Sequence, residues 1–233
     1  MISGSKRQAG YEEQKLPWSY RNKVLGFLKP ETQLMYMGTG DVNFLLSLRH
    51  PYNLTSVLEE SEKGFSKSAE RLTRLGMEVQ SSQDSAKLPF KSEAFDLIIN
   101  YHRAYNLSEI YRVLKPNGFF ITQQTGGKDC TSLYEKLRLL CSSASPDFNL
   151  ENQLPKFVES GFRIMYSNQS YPKIRFYDVP EVFSAGCDDI KIPADICFSK
   201  DECLKLLQEK IDNNGFFETE KHRFIVIAKK MKV

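Results

Sequence analysis

Short apolar runs alternate with amphipathic segments along the first two thirds of the chain. The runs have strand length, and several are apolar throughout, as in strands that are buried on both faces. A strand that alternates with helical segments is typical of an α/β fold with a mainly parallel sheet. Five strands are predicted, at residues 34–37, 54–58, 77–79, 95–99 and 119–122.

The segments between these runs predict helices. Phe65, Ala69 and Leu72 are spaced four and three residues apart, which places them on one helix face that ends near Gly76. Residues 106–114 also predict a helix, and the "KPNG" that follows is expected to end it.

The last third of the chain follows a different pattern. A helix at 151–160 and a strand at 162–166 are predicted, whereas residues 172–198 combine prolines and aromatic residues without a steady period. We expect an irregular cap there, then a helix with Leu204, Leu207 and Ile211 on one face, and the closing strand "HRFIVIA". The prediction is one domain over residues 1–233. Its parts are an N-terminal tail and lid helix (1–29), a core (30–145), the remaining helix and strands (146–171 and 217–233) and a cap with its helix (172–216).

Composition indicates a globular protein and does not identify a binding partner. A hydrophobic fraction of 41% supports a sizeable core, and the net charge of +3 gives no indication of nucleic-acid binding. The N-terminus has no apolar signal segment, and no run is long enough to span a bilayer, so we expect a soluble, cytoplasmic protein. The five cysteines include no Cys-x-x-Cys pair, which favours reduced thiols and predicts no metal site.

Glycines follow the first predicted strand in "LMYMGTGDVNF". Gly38 and Gly40 permit a positive φ and a close approach of a ligand, and the next helix would direct N–H groups at an anion such as a carboxylate or phosphate. A tight turn without a ligand explains the same residues. Glu59 ends the second strand about 20 residues later, where an acid accepts hydrogen bonds from ribose hydroxyls. Glu59 could also be a solvated residue, and Glu60 is a rival for the role.

A second polar group follows the third predicted strand. Asp84 could accept a hydrogen bond from an adenine amino group, and Ser85 could supply backbone contacts. Alternatively, Asp84 caps a turn or a helix.

Two segments carry a resemblance to a known family. "DSAKLPFKSEAFDLIIN" and "SEIYRVLKPNGFFITQQ" resemble the class I S-adenosylmethionine-dependent methyltransferases over about residues 30–140. The segments "FITQQ-x-GG", "FYDV" and "HRF" are similar to those of a bacterial group within that family. The resemblance implies a Rossmann-like fold, with a mainly parallel seven-stranded sheet, helices on both faces and a small cap insertion. It also implies an enzyme that uses S-adenosylmethionine to methylate a small-molecule acceptor. RNA is a possible acceptor that the charge does not support.

The resemblance assigns roles to individual positions. Gly38, Thr39 and Gly40 would contact the methionine end of the cofactor, Glu59 the ribose, and Asp84 and Ser85 the adenine. Asn100 and His102, after the fourth strand, would face the sulfonium and the acceptor.

The chain departs from the family pattern at four positions. Tyr36 stands where an acid holds the cofactor's amino group, Asp41 and Val42 replace glycines, and Arg103 replaces a commonly acidic residue. These changes predict weaker cofactor binding. The alternative is a catalytically silent relative that serves as a binding or regulatory protein. A third hypothesis is a nicotinamide dehydrogenase, which would require a complete GxGxxG loop.

Candidates for the acceptor site are fewer. His102 is the candidate for acceptor contact or proton removal, although a polar loop residue is an equal alternative. Trp18, with Tyr20, could form a lid or simply dock a helix. The other candidates for acceptor binding are Tyr105, Gln124 and, in the cap, Tyr177. His222 is expected to be structural, and Arg175 and Arg223 could hold an anionic acceptor or be surface charges.

Overall fold

The computed structural model describes residues 5–8, 10–38, 42–59, 67–82, 87–136, 145–182 and 200–231. The chain divides into two compact units. The first unit comprises residues 1–17, 125–149 and 169–224, and the second comprises residues 18–124, 150–168 and 225–233.

Between residues 34 and 125, strands and helices alternate in the order that the sequence predicts. The strands are β1 (Ser5–Gln8), β2 (Tyr11–Gln14), β3 (Leu34–Met37), β4 (Thr55–Glu59), β5 (Glu78–Ser81), β6 (Phe95–Tyr101), β7 (Leu114–Thr125), β8 (Phe162–Ser170), β9 (Lys173–Phe176), β10 (Phe217–Glu220) and β11 (Arg223–Lys230). The helices are α1 (Tyr20–Leu25), α2 (Val42–Ser47), α3 (Lys67–Arg74), α4 (Leu107–Val113), α5 (Thr131–Lys136), α6 (Leu150–Glu159), α7 (Val179–Glu181) and α8 (Lys200–Asn214), with a 3-10 turn at Tyr52–Leu54. Within the described residues, no helix is long and apolar enough to cross a membrane.

A seven-stranded sheet has the strand order β5-β4-β3-β6-β7-β11-β8. Strands β3 to β7 pair in parallel, and all four residues of β3 are buried, as the apolar run predicted. The prediction of an α/β fold with a mainly parallel seven-stranded sheet is confirmed. The chain lays down β4 and β5 on one side of β3 and returns to place β6 on the other side. This reversal makes the β3/β6 pair a topological switch point, where open α/β sheets bind ligands.

The first residue of the segment "RVLKPNG", Arg112, connects α4 to neighbouring backbone. Asn106 caps the helix by accepting hydrogen bonds from the N–H groups of Ser108 and Glu109. Arg112 pairs with Glu109 at 2.7 Å and donates to the carbonyl oxygens of Leu88 and Phe90 at 3.0 and 2.8 Å. The bond from Arg112 is the main reason that the pKa of Glu109 is lowered. The helix ends at Val113, one residue before the predicted end, and "KPNG" lies within β7. The bonds of Arg112 tie α4 to the loop before β6.

The first unit contains a second sheet, which the sequence analysis did not predict. Its order is β1-β2-β9-β10, and the β2/β9 and β9/β10 pairs are antiparallel. The expectation of an irregular segment at 172–198 is therefore wrong for Lys173–Phe176. The expectation of a polar tail is also wrong for β1 and β2. The alternation in "KIRF" buries Ile174 and Phe176 against the residues of a separate core, a period-two pattern that the flanking prolines obscure. Phe183 lies outside the described residues.

Cys130 corrects another expectation. The side chain is fully buried and disulfide-bonded, whereas the sequence favoured reduced thiols. The prediction failed because the spacing of cysteines along the chain does not show which of them the fold brings close enough to bond.

The "GG" and "HRF" segments pack against each other in the first unit. A Cβ on Gly126 would overlap the ring of His222, which accepts a hydrogen bond at Nδ1 from the Lys128 N–H (3.1 Å). Nδ1 therefore carries no proton, and Nε2 donates to Oε1 of Gln169 at 3.0 Å. Tyr171 stacks on the imidazole with 4.5 Å between ring centroids. These contacts give His222 a structural role, as the sequence analysis expected.

Candidate functional site

The carboxyl ends of four strands meet at the switch point of the large sheet. Met37 of β3 is in register with Leu58 of β4 and Asn100 of β6, and Asn100 is in register with Thr122 of β7. One residue further along each strand, the residues at the rim of the sheet are Glu59, Gly38, Tyr101 and Gln123. Adjacent parallel strands thus bring residues from distant parts of the sequence to one edge.

Gly38 begins the loop after β3 with a φ of +118°, which side-chain-bearing residues rarely adopt. Its N–H donates to the Leu58 carbonyl at 3.0 Å, so the residue still belongs to the β3/β4 ladder. A Cβ at this position would lie 3.1 Å from Nε of Arg103. The face of Gly38 is therefore covered by the arginine side chain. Thr39 and Gly40, predicted to continue the cofactor loop, lie outside the described residues.

Glu59 occupies the predicted place at the end of β4. The residue is 7% exposed, and its backbone carbonyl accepts a hydrogen bond from the Ser82 N–H at 2.9 Å. Burial at a strand end distinguishes Glu59 from an ordinary solvated acid. Its rival Glu60, and the predicted adenine-binding Asp84 and Ser85, lie outside the described residues.

A buried carboxamide network closes the end of β6. Asn100 is 0% exposed, and its Oδ1 accepts from Gln124 Nε2 (2.7 Å), Thr122 Oγ1 (3.2 Å) and the Arg103 N–H (3.3 Å). Nδ2 donates to the Arg103 carbonyl at 3.1 Å and lies 3.4 Å from Sδ of Met37. Gln124 Nε2 also donates to the Arg103 carbonyl at 3.0 Å. Both carboxamides, predicted to face cofactor and acceptor, make hydrogen bonds that hold the loop after β6.

Aromatic rings surround the switch point. Tyr20 lies 5.4 Å from Phe44 and 5.1 Å from Tyr101 between ring centroids, and Tyr36 lies 6.1 Å from Phe44. Burial, together with the neighbouring Tyr36 and Tyr101, raises the pKa of Tyr20 well above its usual value. Its hydroxyl donates to the Asn100 carbonyl at 2.8 Å. This hydrogen bond links α1 to the end of β6. Tyr36 is also buried, with 2% of its surface exposed.

Trp18 and His102 meet through a residue that the sequence analysis did not select. Trp18 Nε1 donates to Oε1 of Gln123 at 2.7 Å, which fixes the orientation of that amide because an indole N–H can only donate. Nε2 of Gln123 then faces Nε2 of His102 at 3.5 Å, a long contact in which the imidazole nitrogen accepts. His102 has a φ of +57° and lies edge-on to Tyr101 at 4.2 Å. Gln123 thus connects the predicted lid residue, Trp18, to the predicted catalytic residue, His102.

Tyr105 lies in the core beside this loop. Its ring is 5.3 Å from Phe120 and 6.0 Å from Phe157. Burial raises the pKa of the phenol well above its usual value, and the buried hydroxyl has no hydrogen-bond partner in the described part of the chain. The packing explains why an aromatic residue is present, and the hydroxyl is a buried polar group without compensation.

Tyr177 belongs to the first unit. Its hydroxyl donates to Oε2 of Glu12 at 2.9 Å, and Glu12 is 1% exposed. Arg223 of the same unit pairs with the buried carboxylate of Asp129, and Arg175 pairs with Glu218 at 2.6 Å. The three side chains therefore have structural partners within their unit.

Sequence reasoning missed Gln123 and the position of Arg103. The only available signal for Gln123 was its place in "TQQT", where alternate residues face opposite sides of a strand. Gln124, the predicted candidate, lies on one side of the strand and Gln123 on the other. Arg103 was noted only as a departure from a family pattern, because nothing local predicts that its side chain reaches Gly38.

Comparison with known proteins gives a family match over the same region. Residues 35–122 match the family described as "Methyltransferase domain". A protein of Haemophilus influenzae is 31% identical over 91 residues, a match that spans 34% of this chain and 36% of that protein. The chain therefore matches only about a third of the length of this relative.

Solved structures extend the likeness to nearly the whole chain. The YcgJ protein of Bacillus subtilis is 14% identical with a TM-score of 0.61, over 92% of this chain and 99% of that chain. A SAM-dependent methyltransferase of Methanosarcina mazei is 14% identical with a TM-score of 0.54, over 91% of this chain and 98% of that chain. At this identity the likeness shows the fold. The finer resemblance to one bacterial group stays a prediction. Residues 35–122 thus match the methyltransferase-domain family, and the chain has a Rossmann-like fold that it shares with a SAM-dependent methyltransferase.

Proposed function

We propose that the protein transfers a methyl group from S-adenosylmethionine to a small-molecule acceptor. The observation that carries the proposal is the convergence of Gly38 and Glu59 at the switch point of the sheet, inside the matched domain. When bound, S-adenosylmethionine supplies a methyl group activated by its sulfonium, so the protein has mainly to bind and orient.

The described residues fit this cofactor in two respects. Gly38 lacks the Cβ that would crowd the strand end, and the buried carboxylate of Glu59 ends the neighbouring strand, at the position proposed for the ribose hydroxyls. Thr39 and Gly40, with Asp84 and Ser85, remain proposed for the methionine end and the adenine. Asn100 supports binding indirectly, because its carboxamide is committed to the loop that bears His102 and Arg103.

The acceptor is proposed to lie near Trp18 and His102. In the contact with Gln123, Nε2 of His102 accepts, so the proton of the neutral ring resides on Nδ1. We propose that this neutral ring contacts the acceptor. Removal of a proton from the acceptor would require the bond to Gln123 to break. The net charge of +3 lends no support to RNA as the acceptor.

A calorimetric titration with S-adenosylmethionine and S-adenosylhomocysteine tests the function. We expect saturable binding of both, and a ligand at about 100 times its Kd should stabilise the fold by about 2.7 kcal/mol in a thermal-shift assay. Absence of binding at millimolar ligand would sink the proposal and favour the silent-relative alternative.

A pair of glycine variants locates the binding site. Gly38→Ala should abolish binding, because the new Cβ would be strained at φ +118° and would meet Arg103. Gly76→Ala is the matched control: φ is +91°, and no atom lies within 4 Å of the new Cβ. Equal loss of binding in both variants would show an effect of backbone strain on folding and not a site at Gly38.

His102→Ala separates acceptor contact from cofactor contact. We expect a fall in kcat with the Kd for S-adenosylhomocysteine unchanged within about twofold. Equal losses in turnover and in cofactor affinity would place His102 against the cofactor instead.

A further inference from the structure

Gln123, near the end of β7, contacts His102 through both its backbone and its side chain. The Gln123 carbonyl accepts a hydrogen bond from the His102 N–H at 2.9 Å, and its Nε2 lies 3.5 Å from Nε2 of the imidazole. Gln123 is 2% exposed, so the contact is shielded from water. His102 has a φ of +57°, a conformation that residues with a side chain rarely adopt and that persists where the surroundings fix it.

Trp18 determines the direction of the hydrogen bonds in this group. An indole N–H donates and cannot accept, so the atom of Gln123 that lies 2.7 Å from Trp18 Nε1 is the amide oxygen. The amide nitrogen, which can only donate, is then the atom that faces His102. Nε2 of the imidazole therefore accepts, and the proton of the neutral ring lies on Nδ1, whichever group that second nitrogen contacts.

The other two histidines of the chain carry the proton on the opposite nitrogen. Nε2 of His50 lies 2.8 Å from the carbonyl oxygen of Thr32, which can only accept, so Nε2 of this ring is protonated. Nδ1 of His222 accepts from the Lys128 N–H, so Nε2 of that ring is protonated as well. His102 thus differs from both, and the difference can be measured within one protein.

We infer that Gln123 is a positioning residue: oriented by Trp18, it keeps the proton of His102 on Nδ1 and engages the lone pair of Nε2. The inference rests on the proposed function for the contact between His102 and the acceptor. Nδ1 already carries a proton, and Nε2 cannot take one while it accepts from Gln123. His102 therefore contacts the acceptor without removing a proton from it.

Long-range proton–nitrogen NMR spectra of the imidazole rings show which nitrogen carries the proton. At about pH 8.5, where an ordinary imidazole is neutral, we expect the proton on Nδ1 in His102 and on Nε2 in His50 and His222. His102→Ala assigns the spectrum, because the signals that disappear belong to His102. A proton on Nε2 of His102 in the unmodified protein would overturn the inference.

Two variants change the direction of the hydrogen bonds. Gln123→Glu keeps the length of the side chain but can only accept, from Trp18 and from His102 together, so the proton of His102 should move to Nε2. Trp18→Phe keeps an aromatic ring and removes the indole N–H, so the amide can turn and the His102 signals should lie between the two patterns. This second variant tests the inference even if the buried carboxylate of the first prevents folding. An unchanged His102 pattern in either folded variant would overturn the inference.

A matched control separates the position of the charge from its presence. Gln208→Glu makes the same change in net charge at an exposed position on α8. The spectra of all three histidines should match those of the unmodified protein. A shift of the His102 proton in this control would overturn the inference, because the effect would not require Gln123.

Calorimetry with S-adenosylhomocysteine distinguishes this inference from the proposed function. Gln123→Glu should bind this ligand within about twofold of the unmodified protein, because Gln123 acts on His102 and not on the cofactor. Binding weakened by about tenfold or more would place Gln123 against the cofactor and overturn its role as a positioning residue. If the unmodified protein does not bind S-adenosylhomocysteine, the proposed function fails, whereas the spectra still show where the proton of His102 lies.

Discussion

The buried imidazole of His222 should make the stability of the protein depend on pH. The side chain is 0% exposed, and burial, reinforced by the charges of Arg223 and Lys128, lowers its pKa from 6.5 to about 4. Nδ1 already accepts the Lys128 N–H, so protonation of that nitrogen would break a hydrogen bond as well as place a charge in the interior. Asp129 also contacts this segment, but its carboxylate is engaged by Arg223 and by the His222 N–H.

The sign and size of the effect follow from the two pKa values. An unfolded chain takes up the proton near pH 6.5, whereas the folded protein takes it up only near pH 4. The folded state therefore binds fewer protons between these values, and stability is lost as pH falls through this window. Between about pH 7.5 and about pH 4.5, His222 alone should lower the free energy of unfolding by about 2–3 kcal/mol.

Urea unfolding of the unmodified protein and His222→Gln at both pH values isolates this contribution. Carboxylates titrate in both proteins, so only the difference between the two pH dependences belongs to His222. We expect the variant to be less stable at neutral pH and to lose less stability on acidification. An NMR titration of the three histidines gives the pKa directly. A pKa of 6 or above for His222, or the same pH dependence in both proteins, would refute the reasoning.

Three other substitutions test separate parts of the structure. Tyr105→Phe removes a buried hydroxyl without a partner in the described residues and should raise the free energy of unfolding by about 1 kcal/mol, measured by thermal unfolding. A loss of stability would reveal a partner for the hydroxyl. Gly126→Ala should destabilise by about 2–4 kcal/mol in urea, because its Cβ overlaps a buried ring, whereas Gly215→Ala (φ +76°, open space) should cost about 1 kcal/mol. Similar costs at both glycines would contradict the packing argument. Arg112→Gln should cost about 2 kcal/mol in urea unfolding through its bonds to Glu109 and two carbonyls, and a neutral result would show that the clamp adds no stability.

The sequence by itself determined the large sheet. The apolar runs of β3 and β6 are buried because both faces of a central parallel strand are covered, and that requirement is visible as an unbroken hydrophobic stretch. The alternation of strands and helices then restricts the topology, since parallel connections are right-handed and adjacent elements usually pack together. The positions of Gly38 and Glu59 at strand ends follow from the same pattern, because each directly follows or closes an apolar run.

Other features depended on contacts between distant residues. Strand β2 pairs with β9 through Tyr11 and Phe176, a pairing that no local period can predict. The bond of Trp18 to Gln123 and the approach of Arg103 to Gly38 likewise arise from strand register and loop geometry. Hydrophobic pattern specifies which residues leave water, whereas the partner of a polar side chain is set by where the folded backbone places it. The sequence thus determined the sheet and the residues that close its central strands, and the tertiary structure decided which side chains meet at that edge.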